Sequence, residues 1–113
     1  MPIPKAASAY VPSEKLTGYL LNEQHPVGGS KAKWFLGMGY TTADPSHLAH
    51  DLLELVRASE DYTEKSSPFG VKYIVSASLT LPTGRQARVT TVWILEPTDN
   101  RPRLITAYPG DDS

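Results

Sequence analysis

The chain has 113 residues, a net charge of −1 and a hydrophobic fraction of 40%, enough for one domain with a core of its own. It has no cysteine, which excludes a disulfide framework, thiolate catalysis and cysteine-ligated zinc. No apolar run approaches the length of a membrane span, so a partner membrane is not expected.

The first residues lack the apolar core of a signal peptide, and a cytoplasmic protein is expected, with export through a secretion system left open. The near-neutral sum conceals an uneven distribution. Acids gather within 51–64 and in Asp111-Asp112. From Gly70 to Pro109 the basic residues Lys72, Arg85, Arg88, Arg101 and Arg103 face only Glu96 and Asp99. A local basic surface fits this pattern, as do arginines scattered on solvated strand ends.

Residues 1–12, rich in Pro and Ala without period, read as a flexible N-terminal arm; 13–109 form a single globular domain and 110–113 an acidic tail. Ser13 is expected to cap a first helix, with Glu14 in its first turn and Leu16, Tyr19 and Leu20 on one face. It should stop near Asn22, because Pro26 biases His25 away from helical geometry. Ser30 is expected to cap a second helix that ends at the Gly37/Gly39 pair. Asp44-Pro45 opens a third, with a core stripe of Leu48, Leu52, Leu55 and Val56 running to about Ser59.

From Tyr62 the pattern changes to strand. Val71, Tyr73, Val75, Ala77, Leu79 and Leu81 alternate with polar or exposed positions over one long strand. Pro82-Thr83-Gly84-Arg85 turns it into a returning strand from Gln86 to Leu95. Pro97-Thr98-Asp99-Asn100 turns again into a strand from Arg103 to Tyr108, and Tyr62 to Lys65 supplies a short edge strand. The fold class is therefore α+β: two to three N-terminal helices packed on one face of a three- to four-stranded antiparallel meander.

Chemistry concentrates in His25-Pro26-Val27-Gly28-Gly29-Ser30-Lys31. A glycine pair feeding a helix start aims backbone N–H groups outward with the positive end of the helix dipole behind them, which suits an anion. His25 brings an imidazole able to move a proton near neutral pH, and Lys31 brings a cation. An ordinary capped turn accounts for the same residues. On the returning strand, Arg88 and Thr90 share the face opposite Trp93; Arg88 pairs with Thr106 and Tyr108 of the last strand if the register allows. His47 and His50 share a helix face, but two histidines without further ligands at a recognisable spacing read as a solvated face; no metal and no cofactor are expected.

The stretches KLTGYLLNEQHPVGGSKAKWF, GVKYIV, LPTGRQARVTTVWILEP and RPRLITAYP resemble a family of small bacterial domains of unknown function, over about residues 15 to 109. The layout is similar to the barnase/EndoU/RelE-like ribonuclease superfold used by bacterial toxins. That resemblance implies a toxin-type, metal-independent endoribonuclease acting on RNA, with a cognate antitoxin or immunity protein as partner. It implies His25, Lys31, Arg88 and Thr106 as catalytic residues, and Gly29, Ser30, Arg85 and Tyr108 as substrate-binding ones. The slightly acidic balance departs from the basic character of RelE-like toxins. A non-catalytic binding module (antitoxin, immunity protein or adaptor) is the alternative.

Overall fold

The computed structural model describes residues 2–26 and 29–110. Among the described residues, a 3-10 turn (Ala6–Ser8) and three further helical segments precede four strands: α1 (Ser13–Lys15), continued by a π-helical turn over Leu16–Leu20, then α2 (Gly29–Gly37) and α3 (Pro45–Ala58). The strands are β1 (Thr63–Ser67), β2 (Gly70–Thr80), β3 (Gln86–Leu95) and β4 (Arg103–Pro109), paired antiparallel in the order β1-β2-β3-β4. This is the expected α+β meander, with the fourth strand at its edge.

The core lies between the helices and one sheet face. Leu48, Leu52 and Val56 of α3 are fully buried with Val75 of β2, Val89 and Trp93 of β3, and Leu104 and Ala107 of β4. The alternation along β2 and the stripe along α3 thus meet each other, each burying the apolar surface its period collects. Helix α3 starts with Pro45 directly after Asp44 and its C-cap is Ser59, as its sequence predicts.

Three local expectations are corrected. Ser13 and Ser30 are not caps: Pro12 precedes α1, and Ser30 is the second residue of α2, whose first is Gly29. Val27 and Gly28, which precede α2, lie outside the described residues, as does the acidic tail from 111. The N-terminal arm is not loose. Ile3, Ala6 and Ala9 are buried in the core, and Tyr10 forms a parallel bridge with Arg103. Arg57 of α3 donates to the Ala6 and Ala7 carbonyls at 3.3 and 3.2 Å. Proline keeps this segment from forming a long helix or strand, so nothing periodic announces it, yet its backbone groups and apolar side chains are paired.

Strand β4 carries one irregularity. Val92 pairs with Thr106 but Trp93 pairs with Leu104, so Ile105 is an extra residue in β4. A β-bulge changes which face the following side chains point to. Leu104 and Ala107 both enter the core, and Thr106 and Tyr108 point away from it. Among the described residues, no helix is long and apolar enough to cross a membrane.

Candidate functional site

At the β4 edge, side chains from three elements converge on the phenol oxygen of Tyr19. The π-helical turn carries Tyr19; its wider coil is closed by the Leu21 N–H donating to the Leu16 carbonyl at 2.8 Å. Leu16, Leu20 and Leu21 are thereby buried together while Tyr19 stays half-exposed. Such turns recur at functional sites. Lys31, in the first turn of α2, donates from Nζ to Tyr19 Oη at 2.8 Å and to Thr106 Oγ1 at 3.2 Å. Tyr19 Oη and Thr106 Oγ1 close the triangle at 3.2 Å.

Aromatic rings frame the ammonium. Lys31 Nζ lies 5.4 Å from the Tyr19 ring centroid and 5.7 Å from that of Tyr108, within cation–π range of both. A second lysine, Lys15, faces the Tyr19 ring at 5.1 Å. The His25 imidazole meets that ring edge-on, centroids 4.9 Å apart at 89°. Burial alone would raise the Tyr19 pKa. The hydrogen bonds from Lys31 and Thr106, with the charges of Lys31 and Lys15, outweigh it and hold the phenol below its ordinary value of 10.0.

The loop that delivers His25 is fixed by backbone contacts. His25 N–H donates to the Asn22 carbonyl at 3.1 Å, and Gly29 N–H donates back to the His25 carbonyl at 3.0 Å. Gly29 is glycine because a Cβ there would sit 2.6 Å from the Glu23 carbonyl oxygen. Its amide is spent on His25, so the anion-binding role expected of Gly29 is not available to that N–H. Ser30 is exposed on the same turn.

Of the residues expected at the site, His25, Lys31, Thr106 and Tyr108 come together around Tyr19. Arg88 shares the sheet face of Thr106 and Tyr108, but its guanidinium donates to the Ser76 carbonyl of β2 at 3.2 Å, on the flank of β3 away from β4. Thr90, expected on an open face, is fully buried: it donates to the Gly110 carbonyl at 2.7 Å, with Ser76 Oγ also at 2.7 Å. Arg85 sits exposed in the turn before β3, seven residues from the Val92 that pairs with Thr106, roughly 23 Å along the strand.

The remaining C-terminal arginines serve the fold. Arg103 pairs with Glu96 at 2.9 Å, and Arg101 stacks on Tyr10 with its guanidinium carbon 4.3 Å from the ring centroid. On α3, His47 faces Asp51 at 3.4 Å and His50 faces Glu54 at 3.9 Å. Among the described residues, no group of three or more metal-ligating side chains gathers.

Sequence reasoning missed Tyr19, assigning it only to a core-facing stripe. The signal was present: tyrosine at a stripe position carries a hydroxyl that needs a partner, and the nearest cations in sequence are Lys15 and Lys31.

Fold and site together define a small α+β domain with a cationic, hydroxyl-lined corner at the sheet edge. The chain belongs to the family described as Domain of unknown function (DUF6883), which matches residues 2–111. A solved chain from the "Contact-dependent growth inhibition toxin - immunity protein complex from Klebsiella pneumoniae 342" has a similar fold. Its TM-score is 0.67 at 16% identity, covering 96% of this chain and 98% of that one. No curated protein matches.

Proposed function

We propose that this chain is a toxin-type endoribonuclease that cleaves RNA without a metal, by attack of a ribose 2′-oxygen on the adjacent phosphate. The observation that carries this reading is the Lys31 ammonium, fixed between the Tyr19 and Thr106 hydroxyls with the His25 imidazole against the same Tyr19 ring. Cleavage of this kind needs a cation where negative charge builds on the phosphorus oxygens, and a proton carrier on each side of the phosphorus. Lys31 is that cation. Thr106 orients the phosphate, His25 moves a proton, and the Tyr108 ring, which already faces the ammonium, offers a surface for a base to stack on. Arg88 lies two residues along β3 from the partner of Tyr108 and flanks the strand of RNA rather than the scissile phosphate.

The similarity in fold to a chain from a toxin–immunity complex supports a toxin-related role and a protein partner, an immunity protein or antitoxin that covers this corner. The same complex also contains an immunity protein, which supports the second reading, a non-catalytic binding partner.

Expression in bacteria separates the two. The ribonuclease arrests growth and degrades cellular RNA, and His25→Ala or Lys31→Ala relieves the arrest. Harmless expression with intact RNA overturns the proposal and leaves the binding module.

A further inference from the structure

We infer that Tyr19 is the base of this reaction: its phenol oxygen takes the proton of the ribose 2′-OH, and His25 serves as the acid. This rests on the ribonuclease reading above and assigns the group that reading leaves open. Three facts of placement carry it. The phenol oxygen is the point on which the site converges, 2.8 Å from Lys31 Nζ and 3.2 Å from Thr106 Oγ1. Both partners can donate to it, so both stabilise the phenolate that a base must be. The bulge in β4 and the π-helical turn, two separate irregularities, each aim one member of the triangle at the others.

The charged and titratable groups facing Tyr19 come from each neighbouring element: Lys15 from α1, Lys31 from α2 and His25 from the loop between helices. The two lysines favour the ionised phenol, which agrees with the direction of its pKa. His25 lies edge-on to the ring at 4.9 Å between centroids, near enough to serve the same phosphate from another side.

The 2′-OH proton passes to Tyr19 Oη as the 2′-oxygen bonds to phosphorus. The bond from phosphorus to the 5′-oxygen breaks, and the imidazolium of His25 gives that oxygen its proton. The products are a 2′,3′-cyclic phosphate and a 5′-hydroxyl, and exchange with solvent takes the proton from Tyr19 and returns one to His25.

The test uses the whole chain and two readouts. Tyr19→Phe keeps the ring against His25 and Lys15 and removes only the hydroxyl. Cleavage of a short RNA should fall by about 100-fold or more, as loss of a general base does. In alkaline titration followed in the phenolate absorbance band, the phenol that wild type has and Tyr19→Phe lacks should ionise below the ordinary value of 10.0. If wild type cleaves RNA and Tyr19→Phe cleaves as fast, the assignment is overturned while the ribonuclease reading stands. If Tyr19→Phe is inactive but the early titration is absent from wild type, Tyr19 is a positioning hydroxyl and the assignment is again overturned. If wild type leaves RNA intact, both fall together.

Discussion

Tyr19 and Tyr40 are built into similar corners and given opposite characters. Each has a histidine ring edge-on to it, His25 at 4.9 Å and His47 at 5.4 Å between centroids. Each phenol oxygen has a charged partner close by, Lys31 Nζ at 2.8 Å for Tyr19 and Asp51 Oδ2 at 2.7 Å for Tyr40. The sign of that partner separates them. For Tyr40, burial and then the Asp51 carboxylate push the pKa well above its ordinary value, so the phenol keeps its proton and acts as a fixed donor. For Tyr19 the lysines overcome the opposing effect of burial. A tyrosine–histidine contact is therefore not enough to mark a site. A cation at the phenol, with the ring still half-exposed, is what sets Tyr19 apart from Tyr40.

Four experiments probe the difference between the two tyrosines. The largest effect is expected from Lys31→Ala, which removes the cation from the Tyr19 corner. Its cleavage of RNA should drop about 100- to 1000-fold, the range for losing one charge-stabilising donor, while its thermal melt changes little. Gly29→Ala attacks the same corner through the backbone. The new Cβ meets the Glu23 carbonyl oxygen at 2.6 Å, and unfolding in urea should show a loss of about 1–3 kcal/mol.

Tyr40→Phe alters the opposite corner. It removes one hydrogen bond to a half-buried carboxylate and should cost about 1 kcal/mol in the same measurement, with RNA cleavage unchanged. An equal loss of cleavage in Tyr40→Phe and Lys31→Ala would erase the distinction between the two tyrosines.

The smallest effect is in the pH dependence of stability. The folded pKa of Tyr40 lies above its unfolded value of 10.0, so its contribution is complete below that pH and is lost as pH rises. Tyr73, raised by burial and by Glu64 and Tyr62, acts in the same direction. Tyr19 acts the other way, gaining stability as pH rises through its lowered pKa. Denaturation at neutral pH and above pH 10 should show a net alkaline loss that Tyr40→Phe reduces without abolishing.

The fold was more legible in the sequence than the site. Period-two alternation along β2 and the leucine stripe of α3 each declare a buried face, and one face of each meets the other in the structure. The hairpins joining β2 to β3 and β3 to β4 turn where Pro, Gly, Asp and Asn place them, and β3 spans Gln86–Leu95 as predicted. The N-terminal segment was illegible because it is held by single side chains and one bridge rather than by any repeating pattern.

The site was half legible. His25 and Lys31 stand out by their neighbours in sequence. The meeting of Lys31 with Thr106 depends on the bulge at Ile105, and nothing in RPRLITAYP marks which residue is the extra one. Arg88 looked equivalent to Thr106 on strand alternation, but strand alternation fixes only the face. Whether the long side chain leans toward β2 or β4 is decided by the carbonyl it finds, here that of Ser76. Tyr19 was concealed by its own stripe, since the residues either side of it, Leu16 and Leu20, do enter the core.

The proposed cleavage of RNA at the Lys31 corner has a direct test. The direct measurement incubates the purified chain with a short RNA in chelator and identifies the new 3′ end. Wild type should leave a 2′,3′-cyclic phosphate, and Lys31→Ala should leave the RNA intact at equal concentration. Intact RNA with wild type, or equal cleavage by the two proteins, would contradict it.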